Sequence, residues 1–322
     1  MVSIDIVVPD GAGPAALGLT LDALDTANRV AAYLGAERFD WRVLCVARSR
    51  AALRHGISIP AQPIRGARAR DIVIVLGMGA AGPEEIDRRL AQVDVREAAA
   101  WLRSAHRRGA TIAAACTAVF ILGEAGALDG RQCTTTWWLS GLLAQRYPAA
   151  RVDADALVLE DQGVWTAGAM VSQLDLMMAL IERFAGAELA RETARRLTAP
   201  ARESQAPYIS AGAIANHDKK IAEFEAYVAH HLKGGITLDE AARALNLSTR
   251  TLLRRIRAGT GLSPSRFVQK IRLGSAINLI ERTQLPLDSI AERIGLADAA
   301  VLHRLVVRHT GQSPGRFRAK PR

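Results

Sequence analysis

The sequence predicts two unlike domains: an α/β domain on a mostly parallel sheet sandwiched between helices over residues 1–197, then an all-α domain over residues 218–322. Three observations carry this. Short β-branched runs alternate with longer helical patterns in the first two thirds of the chain. One of those runs, Ile72-Val73-Ile74-Val75-Leu76, is apolar without interruption, as in a strand covered on both faces. The last third has helical spacing only, repeats itself, and holds all the excess charge: 19 Lys and Arg against 9 Asp and Glu from Asp218 onward, with 23 of each before it. A chain of 322 residues is long enough for two separate cores.

In chain order, Val2–Val8, Trp41–Ala47, Asp71–Leu76 and Thr111–Cys116 have strand patterning, and Ala15–Leu34, Val95–Arg107, Thr117–Ala125 and Ser172–Ala185 have helical spacing or composition. The first strand carries Asp5 and stops at Pro9, unlike a signal peptide. No run approaches the roughly 18 apolar residues of a membrane helix, so the expectation is a cytoplasmic, nucleoid-associated protein that does not engage a membrane. Ala156–Glu160 and Val164–Ala167 flank Asp161-Gln162-Gly163, which reads as a hairpin turn. Residues 198–217, with Pro200, Pro207 and Gly212, lack periodicity and are expected to link the domains. Cys45, Cys116 and Cys133 are too few and too scattered for a disulfide framework or a zinc site. No metal and no cofactor is expected.

In the second domain Leu238–Leu247 recurs as Leu287–Leu296, 49 residues on. The segments that follow end in Ser263-Pro264-Ser265-Arg266-Phe267 and Ser313-Pro314-Gly315-Arg316-Phe317, now 50 apart, so the second turn is one residue longer. Asn246 and Gly295 suit a left-handed helix C-cap, and Ser248 and Asp298 can cap the helix that follows. Each copy is therefore a helix-turn-helix, whose second helix can enter a DNA major groove. In the first such helix Leu252 and Ile256 should face the core, with Leu253 at its rim. Arg250 and Arg254 then project together toward base edges, with Thr249 beside them and Arg255 and Arg257 placed for phosphates. In the second, Leu302 and Val306 take the core positions. Ala300 and Arg304 replace the arginine pair, and His303 and Arg308 complete the contact surface. Because Ala300 offers only a methyl group, the second unit is expected to anchor more than it reads. A long helix, Ser265–Thr283, joins the units, and Pro286 starts the second.

This arrangement resembles the AraC/XylS family of transcription regulators over about residues 218–318, through the repeat, both turns and both Ser-Pro-x-x-Phe endings. It departs from the family in Gly295-Leu296, where Gly-Phe is common, and in Ile256 and Val306, where aromatics are common. The first domain resembles the ThiJ/PfpI branch of the class I glutamine-amidotransferase-like proteins, through Leu19–Asn28, Asp71–Gly77, Ala113-Ala114-Ala115-Cys116-Thr117 and Gly126–Trp137. The two together resemble the GlxA-type subgroup of AraC regulators. The resemblance implies a flavodoxin-like first domain, a double-stranded DNA operator, a small-molecule effector and a homodimer.

In enzymes of the ThiJ/PfpI superfamily an elbow like that at Cys116 holds a nucleophilic cysteine, activated by a downstream histidine and often an acid. Cys116 ends a strand and opens a helix, a place that exposes a thiol and favours its thiolate, and Asp22 falls where an acid stands in the resembling sequences. The histidine is missing: Thr134-Thr135-Thr136-Trp137 stands where the regulators read Thr-Thr-His-Trp, and no histidine lies between Cys116 and His217. A nucleophile without its base loses most of its advantage. The expectation is a non-catalytic pocket at the C-terminal ends of the strands, lined by Asp22, Gly77, Met78, Cys116, Thr117, Thr136 and Trp137. An acid beside an aromatic would suit a cationic or amino-acid-like effector. The competing readings are a cysteine-dependent amidase or hydrolase with an accessory DNA-binding module, and a first domain that only oligomerises.

Overall fold

In the computed structural model, which describes residues 1–46, 49–199, 202, 204–205, 219–260, 262–310 and 312–318, the chain divides into two units, Met1–Gln205 and Ala206–Arg322. The first contains β1 (Val2–Val7), α1 (Pro14–Leu34), β2 (Phe39–Cys45), β3 (Arg50–Ala52), β4 (Ser58–Pro60), β5 (Gln62–Pro63), β6 (Ile72–Val75), α2 (Pro83–Leu90), α3 (Val93–Arg107), β7 (Thr111–Ala115), α4 (Ala118–Glu124), β8 (Gln132–Cys133), α5 (Ser140–Arg146), β9 (Arg151–Val152), β10 (Val158–Asp161), β11 (Val164–Ala167), α6 (Ser172–Ala185) and α7 (Ala187–Arg196).

The main sheet runs β10-β11-β7-β6-β1-β2-β5 and is parallel except for β10. The unbroken apolar run in β6 has the expected cause. Val73 and Val75 pack with α2, α3 and α4 on one face of the sheet, while Ile72 and Ile74 pack with α1, α6 and α7 on the other. The hairpin also stands where its turn residues placed it: Gln162 and Gly163 both have positive φ (53° and 78°), and β10 pairs antiparallel with β11 across them.

One boundary is corrected. The expected link begins at residue 198, yet residues 202–205 belong to the first unit. Arg202 pairs with Asp175, Ser204 Oγ donates to Asp155 O (2.6 Å), and the Gln205 amide is buried, its Nε2 donating to Thr134 Oγ1 (3.1 Å), Thr135 O (2.8 Å) and Ala156 O (3.0 Å). Gly168 leaves the room for it: a Cβ there would stand 2.5 Å from Gln205 Oε1. Residues 200, 201, 203 and 206–217 of the expected link, and the strand end at Ala47, lie outside the described residues.

The second unit is helical: α8 (Lys219–His231), α9 (Leu238–Ala244), α10 (Thr249–Thr260), α11 (Pro264–Arg282), α12 (Leu287–Arg293), α13 (Ala299–Thr310) and α14 (Pro314–Phe317). Helices α9 and α12 start 49 residues apart and α10 and α13 start 50 apart, so the repeat in the sequence is a repeat in the structure. The sequence reading did not single out α8. It packs chiefly on α11, with Phe224 stacked on Phe267 at 6.1 Å.

Candidate functional sites

Each helix-turn-helix is built by the same short-range chemistry. Asn246 and Gly295 adopt the left-handed conformation (φ 54° and 70°) that ends α9 and α12. Ser248 Oγ accepts from Thr251 N (3.2 Å) and Asp298 Oδ1 from Val301 N (2.7 Å), capping α10 and α13. A further tie escaped the sequence reading, although it sits in the repeat itself. Asp239 accepts from Thr249 Oγ1 (2.6 Å), and its counterpart Asp288 accepts from Ala299 N (2.9 Å), each carboxylate binding the start of a second helix to the first.

Leu252, Ile256, Leu302 and Val306 are buried, and Leu253 is half-buried at the rim. Arg250, Arg254, Arg255 and Arg257 on α10 are exposed, as are Ala300, His303, Arg304 and Arg308 on α13. Thr249 is half-buried, with its hydroxyl held by Asp239. Each exposed set forms a positive face on a helix anchored by its apolar side.

In the first unit β7 ends at Ala115 and Cys116 turns the chain into α4 with φ 57°, a strained conformation for a side chain other than glycine. The strain is held by hydrogen bonds: Cys116 N–H donates to Gly168 O (2.8 Å) and Ala167 O (3.1 Å), and Thr135 Oγ1 donates to Cys116 O (2.7 Å). A cavity of about 120 Å³ lies against it, walled by Gly77, Ala115, Cys116 and Thr117 at the strand ends, by Gly13 just before α1 and Ala16 within it, by Gly79, Ala80 and Arg54, and by Met170 and Gln173. Thr117 Oγ1 accepts from Met78 N–H (3.1 Å), and Gly77 leaves only 3.2 Å between that oxygen and the place a Cβ would occupy.

Of the seven residues expected to line this pocket, Gly77, Cys116 and Thr117 do. Met78 lines the neighbouring cleft. Three expectations are corrected. Asp22 is exposed, because Thr20, Ala23 and Leu24 take the buried side of α1 and turn it outward. Thr136 is buried away from the cavity lining, with no partner for its hydroxyl among the described residues. Trp137 is buried against Trp138, their rings edge to face at 5.1 Å. With neither Asp22 nor Trp137 in the wall, the expected cationic effector loses its basis.

The wall residues Arg54, Met170 and Gln173 were missed. Nothing local marks them; Arg54 arrives through backbone bonds that fold the β3–β4 excursion onto residues 11–12, Gly11 N–H to Ala52 O (2.8 Å) and Arg54 N–H to Ala12 O (3.0 Å).

The lining contains no histidine and no carboxylate. Burial pushes the Cys116 thiol pKa up, only partly offset by hydrogen bonds from Thr117, which reverses the expectation of a favoured thiolate. Cys133 is likewise pushed up, to about 12, by burial. Among the described residues no three His, Cys, Asp or Glu side chains come together to hold a metal ion, and no helix is long and apolar enough to cross a membrane.

Comparison with known proteins agrees with this division. Residues 28–183 match the DJ-1/PfpI family, and residues 241–320 match a helix-turn-helix domain family. The chain is 26% identical over 300 residues to the HTH-type transcriptional regulator GbdR of Pseudomonas aeruginosa, covering 91% of this chain and 77% of that one. It is 29% identical over 223 residues to the HTH-type transcriptional regulator GlxA of Rhizobium meliloti, covering 68% of each. Over 61% of this chain and all of the other, the fold is similar to the crystal structure of an AraC family transcriptional regulator from Pseudomonas putida, with a TM-score of 0.50 and 23% identity.

Proposed function

We propose that the chain is a transcriptional regulator of the AraC type, its DJ-1/PfpI-like domain joined to a helix-turn-helix domain, and that a small effector in the Cys116 cavity sets how the second unit engages its operator. The observation that supports this reading is the cavity itself: it lies at the C-terminal ends of parallel strands and keeps its cysteine without a base to activate it. An effector acts by binding one arrangement of the regulator more tightly than another. On this reading the first unit is not an enzyme, and the protein works in the cytoplasm as a homodimer on double-stranded DNA.

At the operator, Arg250 and Arg254 reach base edges, Arg255 and Arg257 take phosphates, and Thr249 positions the start of α10. On α13, Arg304 reads alone beside the methyl of Ala300, with His303 and Arg308 on the backbone. The test starts from the operator located by footprinting. Arg254→Ala should cost about 1–3 kcal/mol on that site and relax base preference, and Arg257→Ala should weaken all sequences alike. Unchanged affinity and preference in Arg254→Ala would remove that orientation of α10.

The elbow at Cys116, with its φ of 57°, favours one alternative, a cysteine hydrolase. A turnover of amide or ester substrates that disappears in Cys116→Ala would establish it, and none is expected.

A further inference from the structure

The cavity beside Cys116 is lined mainly by backbone, alanine and glycine, and two side chains give it chemical character. The first is Arg54. It lines both this cavity and the adjoining cleft of about 470 Å³. Its backbone is fixed by Arg54 N–H to Ala12 O (3.0 Å), and its Cδ packs 3.3 Å from the place a Gly79 Cβ would occupy. Gly79 has to be glycine there, with φ 73° and a Cβ position only 2.4 Å from Gly11 O. So the stem of Arg54 is seated while its guanidinium has no partner among the described residues. Two other arginines line the adjoining cleft and neither lines this cavity: Arg88, and Arg89, which is engaged by Asp94 (2.9 Å), Asp10 O (2.6 Å) and Met78 O (3.2 Å).

The second is Gln173. It is 1% exposed and lines the cavity. Thr20 has one hydroxyl hydrogen, which it donates to Ala16 O (2.8 Å), so its oxygen must accept from Gln173 Nε2 (3.0 Å). That bond fixes the amide orientation and leaves Gln173 Oε1 open to the cavity, an acceptor with no donor in the described protein. Polar groups on side chains this deeply enclosed are nearly always partnered, by protein or by a bound molecule.

An unpaired guanidinium and an unfilled acceptor around one small cavity describe a ligand. We propose that the effector is a small molecule bearing a carboxylate, held by Arg54, and a hydrogen-bond donor, held by Gln173: the chemistry of a short α-amino or α-hydroxy acid. The proposal rests on the reading of this cavity as an effector site. A carboxylate matches the guanidinium fork with two parallel hydrogen bonds, and no acid lines the cavity itself; Asp10 and Glu85, in the adjoining cleft that Arg54 also lines, form no ion pair with it. The same absence disfavours a ligand that is cationic throughout.

The full chain suits the test, because all five tryptophans, at positions 41, 101, 137, 138 and 165, lie in the first unit and report its unfolding alone. Tryptophan-monitored melting and calorimetric titration would use L-alanine, L-serine, L-lactate and glycolate against L-alaninamide, lactamide, propionate and choline. One or more of the four acids should raise the melting temperature. The matching amide, which lacks the carboxylate, and propionate, which lacks the donor, should bind at least tenfold more weakly. Arg54→Ala, an exposed position, should weaken the acid by about tenfold to a hundredfold, and Gln173→Met should erase the preference for lactate over propionate. Binding of an amide, propionate or choline as tight as that of the acids, or an unaltered affinity in Arg54→Ala, overturns the proposal but leaves an effector site standing. No response to any of the eight compounds overturns the carboxylate proposal and counts against the effector reading as well.

Discussion

Cys116 shows how much one position can hold. Its left-handed backbone is the geometry of a nucleophile, yet burial favours its neutral thiol and no histidine or carboxylate lines its cavity. A thiol whose pKa is raised on folding stabilises the protein below the unfolded value, about 8.5; that contribution is lost as the pH climbs from there through the folded value. Two outcomes are expected. At pH 7.5 iodoacetamide should label Cys116 at least tenfold more slowly than the same residue in denatured chain, read by mass spectrometry of the tryptic peptide. Stability of the first unit, followed by tryptophan emission in urea, should fall above about pH 8.5, and Cys116→Ser should lessen that fall. Labelling at the denatured rate would mean that folding does not hold the thiol in its neutral form.

The two turns that begin the second helices look interchangeable in the repeat, and at the scale of the element they are not. Gly295 and Asn246 both sit in the left-handed region, but a Cβ at Gly295 would stand 2.1 Å from Leu232 O, a backbone atom that cannot step aside. Gly295→Ala should therefore destabilise the second helix-turn-helix by on the order of 2 kcal/mol or more, and Asn246→Ala by about 1 kcal/mol, the cost of the conformation alone. Hydrogen exchange in peptides covering residues 287–310 and 238–260 would separate them; equal effects would mean that the packing of Leu232 on Gly295 is dispensable. The same contrast marks what could be read from the sequence. Strand β6, the hairpin at Gln162-Gly163, the left-handed ends at Asn246 and Gly295 and the caps at Ser248 and Asp298 were legible, because periodicity and turn chemistry are local. The cavity wall was legible only where the strand ends build it, at Gly77, Cys116 and Thr117. Arg54 and Gln173 come from elements distant in the chain, and Asp22 misled because the face of α1 it occupies is decided by which neighbours the sheet buries. Helix α8 was missed because its apolar residues make sense only against Phe267.

At the scale of the molecule, the end of the first unit bears on how its cavity can be felt elsewhere in the chain. Gln205 is the last residue of that unit, and its amide reaches inward to Thr135 O, while Thr135 Oγ1 holds Cys116 O in the cavity wall. Two hydrogen bonds thus separate the wall from the point where the chain leaves the unit. Removing the amide takes the donor from Thr135 O and Thr134 Oγ1, while Ala156 O keeps the Thr134 hydroxyl, and an unmade buried hydrogen bond costs about 1–3 kcal/mol. Gln205→Ala in the full chain should lower the tryptophan-reported melting temperature by several degrees, while operator affinity in the absence of effector stays as it was, since the arginines of α10 and α13 all lie in the second unit. The salt dependence should also be untouched, with the logarithm of operator affinity falling steeply and linearly against the logarithm of salt concentration in variant and wild type alike, because its slope counts phosphates neutralised by the basic unit. An unaltered melting temperature would show that the amide is not held inside. A changed salt slope would show that residues of the first unit take part in the contact with DNA, contrary to the confinement of the excess positive charge to the last third of the chain.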